Sequence, residues 1–175
     1  NELLIGDKNA IMVAARILGY GKEYEFEYDG MEQSVDLTKL EPIKIDFKNL
    51  PKGTNEFSYK LPNSKRTITF KLLNGKDEKE IDLENKALEK ISKLQTSGLT
   101  TRFKKMILSV DGNSEKSYIN NFVDNEFLSR DSLAFRQHLN GITPDIDMTT
   151  FVSDSSGKEI EVVIPITVRF FWPTT

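Results

Sequence analysis

At 175 residues the chain is long enough for one ordinary domain, or two small lobes, to bury a core without covalent staples. It has no cysteine and a single histidine, which removes disulfides, thiol nucleophiles and Cys-ligated zinc and fits a reducing compartment, or assembly in one. Twenty-four basic and 27 acidic residues leave a net charge of −3, which offers no general electrostatic drive toward nucleic acid or acidic lipid.

The longest apolar run, Ile11 to Ala15, falls well short of the ~20 residues that span a bilayer, and there is no signal-peptide core, so the composition reads as that of a soluble protein. The opening on Asn1 rather than Met, inside an apolar segment, reads as an artificial boundary with residues missing upstream. Leu3, Leu4, Ile11, Val13, Ala14, Ile17 and Leu18 predict a mostly apolar helix, with Asp7 near its start and Gly19 and Gly21 as stop signals. Apolar on most sides, it is expected to be buried.

Tyr24, Phe26 and Tyr28 alternate with glutamates, and Val35 and Leu37 alternate after Asp29-Gly30. That predicts a β-hairpin, since Asp-Gly supplies the positive φ angles of a tight primed turn. Residues 39–54, with Pro42, Pro51 and Gly53, read as a connection holding a short strand around Ile43 to Phe47. A second hairpin follows, with Phe57, Tyr59 and Leu61 on one arm, a turn over residues 62–66, and Ile68, Phe70 and Leu72 on the other.

After Asn74-Gly75 a charged helix is predicted from Ile81, Leu88, Ile91 and Leu94, broken at Ser97-Gly98. Phe103, Met106, Ile107 and Val110 recur at i, i+3, i+4 and i+7, predicting another helix from Thr100 to about Val110, with β structure as the competing reading. Tyr118, Ile119, Phe122 and Val123 read as helix, and so do Leu133, Phe135, Arg136 and Leu139, capped by Ser129 and stopped by Asn140-Gly141. Beyond Pro144 an extended arm begins at Ile146, Met148 and Thr150. After residues 153–157 the even positions Ile160, Val162, Ile164, Ile166, Val168 and Phe170 are all apolar, predicting a strand of about eleven residues against the usual 5–6.

The order hairpin, hairpin, helices, hairpin argues for an α+β fold with antiparallel pairing. Three segments are expected along it. Residues 1–54 hold the N-terminal helix and first hairpin, 55–141 the second hairpin and helical region, and 142–175 the C-terminal hairpin, as one compact unit or two small lobes.

Little of the residue chemistry suggests catalysis. His138 sits on a predicted helix between Gln137 and Leu139, so a hydrolase centred on it has no nucleophile motif to support it. The acids Asp77, Glu78, Glu80 and Asp82, and the pair Asp145 and Asp147, lack calcium-loop spacing. Gly19-Tyr20-Gly21 follows a helix and is no phosphate loop. Arg102, Lys104 and Lys105 beside Phe103 form a small basic spot, a weak case for nucleic acid. Arg130-Asp131 reads as a structural pair beside a helix cap, with Arg136 further along the same helix.

The densest aromatic cluster is Phe170-Phe171-Trp172-Pro173. Aromatic side chains bury about 150–250 Å² each, so this group is expected to pack against its own domain or a neighbouring subunit. Together with Ile164, Ile166 and Val168 it is the candidate anchor and interface. Trp172→Ala is expected to cost about 3–5 kcal/mol if the ring is internal, and to behave as an interface hot spot if it is not.

Several short motifs in order carry a family resemblance. They are Leu4-Ile5-Gly6-Asp7-Lys8 leading into Ala15-Arg16 and Tyr20-Gly21, then Val110-Asp111-Gly112-Asn113, Arg130-Asp131-Ser132, Thr143-Pro144-Asp145-Ile146-Asp147 and Ile164-Pro165-Ile166 with Phe170 to Pro173. Across nearly the whole chain this resembles the baseplate hub and hub-assembly proteins of T4-like contractile-tailed bacteriophages. Many such relatives carry Cys-x-x-Cys pairs at two knuckles, here Asp29-Gly30 and residues 153–157, which in this chain lack the metal ligands of a zinc ribbon. The resemblance implies a non-enzymatic structural protein without cofactor or metal. It would be part of the virion tail baseplate, assembled in the host cytoplasm, with other baseplate or tail proteins as partners and neither nucleic acid nor membrane. The alternative it implies is an assembly chaperone absent from the finished virion.

Overall fold

The computed structural model describes residues 3–45, 53–91 and 98–172. Among these described residues the fold is α+β, with helices and three small antiparallel sheets. The chain divides into two compact units, one made of Asn1–Ile5 and Ile45–Thr143, the other of Gly6–Lys44 and Pro144–Thr175. Most of segment 1–54 and nearly all of segment 142–175 fall in one unit, while residues 1–5 and 45–54 join segment 55–141 in the other.

In the first unit, strands β3 (Phe57–Lys60) and β4 (Thr67–Phe70) form the expected hairpin, with Phe57 opposite Phe70 and Tyr59 opposite Ile68. Helix α2 covers Gly75–Ile91. The helix predicted to reach Val110 ends early: α3 is Gly98–Met106, and Ile107–Val110 is strand β5, pairing with β4 through Ile68–Val110 and Thr69–Ser109. Its backbone groups find partners on β4, and three of its four residues are buried, an environment that suits branched side chains. Asp111 and Gly112, both at positive φ, turn the chain out of β5.

Helix α4 (Lys116–Asn121) runs into a π-turn over Phe122–Glu126, and α5 covers Ser129–Ile142. The core gathers Ile68, Phe70, Ile81, Phe103, Phe122 and Phe135, with the rings of Phe70 and Phe135 edge to face at 4.9 Å.

Two sequence expectations for α5 change. Ser129 is the first helical residue rather than the cap, and Leu128 in the cap position makes no side-chain cap bond. Asp131 is fully buried, and its carboxylate turns to the β3–β4 turn instead of pairing with Arg130. It accepts hydrogen bonds from the Asn63 N–H (2.8 Å), the Asn63 amide (2.8 Å) and the Ser64 N–H (2.9 Å).

Burial alone would push this carboxyl up, but hydrogen bonding from Ser64 and Asn63 outweighs it and holds the pKa at about 2. A pKa depressed below its unfolded value gives stability that is whole above pH ~4 and drains as pH falls from about 4 toward 2. Asp131→Asn should therefore cost about 2 kcal/mol at neutral pH and flatten this acid-sensitive window. Urea unfolding at a series of pH values reads both, and an unchanged acid limb would refute the assignment.

In the second unit, α1 (Ile5–Tyr20) precedes the hairpin β1 (Glu23–Tyr28) and β2 (Met31–Asp36), where Asp29 and Gly30 both take positive φ as their sequence requires. Strands β6 (Thr149–Ser153) and β7 (Glu159–Val163) form the last hairpin. The returning chain is tied to the outgoing one: Pro42 bridges Ile146, Ile43 donates to the Asp145 carbonyl at 2.8 Å, and Asp147 donates to the Glu41 carbonyl at 2.9 Å. Of the short strand expected around Ile43 to Phe47, this bridge is the described part, and residues 46–47 lie outside the described residues.

The core of this unit is Val13, Tyr24, Phe26, Leu37, Val152, Val162, Ile164 and Phe170. Two expectations are corrected. Helix α1 is not buried as a whole: its inward residues are Gly6, Val13 and Arg16, while Ile11 and Leu18 stand in solvent. The long final strand stops at Val163, because Pro165 has no N–H for a ladder. Residues 164–167 lead instead into the single helical turn α6 (Val168–Phe171).

Candidate interaction surface

The seven residues singled out from sequence separate into inward and outward sets. Ile164 and Phe170 are fully buried, and Phe171 is half-buried. Phe170 meets Tyr24 edge to face at 4.9 Å and Phe171 at 5.1 Å, while the Tyr24 hydroxyl donates to the Pro165 carbonyl at 2.9 Å. One ring and one hydrogen bond therefore fasten the segment after β7 to β1. Ile166, Val168 and Trp172 face out, Val168 at 74% and Trp172 at 68% exposure. Pro173 lies outside the described residues.

Val168 forms part of the wall of an open cleft of about 440 Å³ that also involves Tyr24, Phe26, Pro165, Thr167 and Arg169. Strands β1 and β2 pair only with each other among the described residues, so their outer edges carry ungathered backbone donors and acceptors.

Phe151 and Val163 add further exposed apolar area on the outer face of the β6–β7 hairpin. They are diagonal neighbours, since Phe151 sits opposite Glu161 and Thr149 opposite Val163. Sequence reading passed over them, although the signal was present: both occupy odd positions of strands whose even positions make the core.

The two knuckles meet. The Ser155 hydroxyl donates to the Asp29 carboxylate at 2.8 Å, and Asp154 closes its own turn by accepting from Ser156 and Lys158 N–H groups, each at 2.9 Å. The Ser156 hydroxyl also donates to it, at 2.6 Å, and this bond first, then the Lys158 N–H, draws the Asp154 carboxyl below its usual range. Among the described residues no group of three or more His, Cys, Asp or Glu is placed to hold a metal ion.

The other sequence candidates lie in structural surroundings. The His138 ring stacks on Tyr59 at 4.3 Å and meets the Phe70 edge at 5.9 Å, and burial lowers its pKa. The basic spot is matched by acids of α2 and the π-turn: Lys105 pairs with Glu80 and Lys104 with Asp124, each at 2.7 Å, and Arg102 pairs with Glu78. Asp77 holds Lys71 at 2.6 Å, and Asp145 accepts from the Asn9 amide at 3.0 Å. Among the described residues no helix is long and apolar enough to cross a membrane.

The arrangement is suited to non-covalent contact: apolar side chains held outward on a fastened segment, beside open strand edges. No family model, curated protein or solved structure matches the chain.

Proposed function

We propose that this chain is a non-enzymatic structural component of a contractile-tail phage baseplate, in the hub region, working through contacts with other baseplate or tail proteins. The observation that carries the reading is the state of the C-terminal segment. Phe170 pins it to the core while Val168 and Trp172 stand in water, where an isolated protein gains nothing from them. A large aromatic presented on a fixed segment is the kind of residue that dominates binding at interfaces. The resemblance carried by the ordered motifs from Leu4 to Pro173 supports the same reading. The packing of His138 between Tyr59 and Phe70 supports a structural use of the lone imidazole.

The test is incorporation. Mass spectrometry of purified tails should find the wild-type chain. Val168→Asp with Trp172→Ala should reduce its amount about tenfold or more, as the loss of a hot spot of ~1.4 kcal/mol or greater would. Because both residues are exposed, the isolated variant should keep its stability within about 1 kcal/mol. Equal incorporation of variant and wild type would end the docking proposal. A chain that is required for tail formation but missing from finished tails would be the assembly chaperone of the alternative reading.

A further inference from the structure

Strand β1 spends only half of its backbone on β2. The Leu37 N–H donates to the Lys22 carbonyl at 2.9 Å, and the register runs on through Tyr24 opposite Val35 and Phe26 opposite Gln33 to Tyr28 opposite Met31. Bonded and unbonded pairs alternate in an antiparallel ladder, so the even-numbered residues of β1 face β2, and Glu23, Glu25 and Glu27 turn their N–H and C=O groups to the outer edge. The Glu23 carbonyl agrees, since it accepts from Arg16 Nη2 at 3.1 Å. Glu25 and Glu27 then hold two donors and two acceptors with no backbone partner among the described residues. Two open clefts, of about 320 and 440 Å³, are both lined by Tyr24, Glu25, Phe26 and Glu27. Consecutive side chains of a strand alternate in direction, so clefts touched by both sets follow the edge of β1 rather than either face.

The charges along this edge select its occupant. Tyr24 and Phe26 point into the core, which leaves Glu23, Glu25 and Glu27 exposed on the other face, with exposed Glu32 directly opposite Glu27. That like-charge pairing costs the isolated ribbon stability. Lys22 is taken up by Asp36 at 3.0 Å and lies 3.9 Å from Glu23, and among the described residues no ion pair includes Glu25, Glu27 or Glu32. Of the two arginines that line the clefts, Arg16 is buried on the Gly21 and Glu23 carbonyls, and Arg169 belongs to the segment fastened on the Tyr24 side. We propose that the outer edge of β1 takes up an extended segment of a partner protein as an added strand, with Lys or Arg at alternate positions and apolar residues between. Backbone bonds to Glu25 and Glu27 hold it, its basic side chains meet Glu25, Glu27 and Glu32, and its apolar ones lie toward Pro165 and Val168. A second copy of β1 does not fit, because it would lay glutamates against glutamates. The inference rests on the docking role proposed above and names the chemistry of one partner.

Fluorescence anisotropy of the isolated chain with a labelled, end-capped heptapeptide of alternating valine and lysine tests this. The peptide should bind with a Kd below about 100 µM at low salt, and its valine–glutamate counterpart at least about tenfold more weakly. Glu25→Lys with Glu27→Lys should weaken the lysine peptide at least about tenfold while leaving the thermal melt unchanged, since both side chains are exposed. Charge attraction alone would give those results, so backbone pairing is read separately. N-methylating either all the lysines or all the valines removes every second peptide N–H, the set on one edge of the strand. One of the two methylated peptides should lose at least about tenfold, and the other should stay within about threefold. A lysine peptide that does not bind, binding that survives the double charge reversal, or equal behaviour of the two methylated peptides would each overturn the proposal. A peptide that binds in this pattern to a chain missing from purified tails would strike the baseplate role and leave the strand edge standing.

Discussion

Gly6→Ala should destabilise the second unit by at least about 3 kcal/mol, against the usual preference of helices for alanine over glycine by about 1 kcal/mol. Gly6 lies in the first turn of α1 and is buried against the chain returning at Pro144. An added Cβ would lie 1.7 Å from the Pro144 carbonyl oxygen and 2.8 Å from the Asp145 Cα. These are backbone atoms, so no side-chain rotation relieves the overlap. The backbone there is also held, through the Ile43 and Asp147 hydrogen bonds to its two sides and the Asn9 amide on the Asp145 carboxylate. Either α1 or the returning segment has to move, and moving one breaks those bonds. Gly19, also helical but with open space where a Cβ would stand, serves as the control: Gly19→Ala should be neutral or mildly stabilising. Thermal unfolding of both variants by circular dichroism checks the contrast. A Gly6→Ala protein melting at or above the wild type would show that the close approach at Pro144 is not a constraint in solution.

Phe170→Ala should cost about 3–5 kcal/mol, while Trp172→Ala, two residues on, should stay within about 1 kcal/mol. Phe170 is wholly enclosed, edge-on to Tyr24, and its loss leaves a ring-sized void where the chain after Pro165 is fastened. The four-residue turn α6 is too short to persist by itself, so releasing the ring releases the turn. Trp172 has two thirds of its surface in water and little left to lose. Of the two outcomes the sequence leaves open for Trp172, an internal ring or an interface residue, its exposure removes the internal one, and the large internal cost falls on Phe170 instead. Trp172 is the only tryptophan, so a fall in its fluorescence anisotropy in Phe170→Ala reports detachment of the segment. Similar unfolding free energies for the two alanine variants would contradict this division of labour.

The hairpins were legible because their information is local. Asp29-Gly30 announces a primed turn in two residues, and the alternation of Phe57, Tyr59, Ile68 and Phe70 states its own register. What was not legible depended on distant partners. Ile107–Val110 carries helical spacing, and only pairing with β4 makes it a strand. Adjacency points Asp131 to its neighbour Arg130, whereas its partner Asn63 lies 68 residues away.

For the candidate surface, even-numbered apolar residues continue without a break from Ile160 to Phe170, so the pattern conceals the change of element after Pro165. Within that run Ile164 and Phe170 point inward and Val168 outward, and neither hydropathy nor periodicity distinguishes them. Helix α1 shows the same difficulty. A count of apolar residues predicts burial, but tertiary orientation decides which of them meet water, and here it leaves Leu18 outside.

The second unit is written in two stretches, Gly6–Lys44 and Pro144–Thr175, with Ile45–Thr143 between them. On a ribosome this imposes an order. When Lys44 has been added, Val13, Tyr24, Phe26 and Leu37 exist, but Val152, Val162, Ile164 and Phe170, which complete their cluster, have not yet been translated. At about 5–20 residues per second, the nascent chain carries that half-built cluster for roughly 6–25 s, until Phe170 is added. Most of the first unit can close cotranslationally during the wait, while the second stays open to holdases and proteases until its aromatic keystone leaves the exit tunnel.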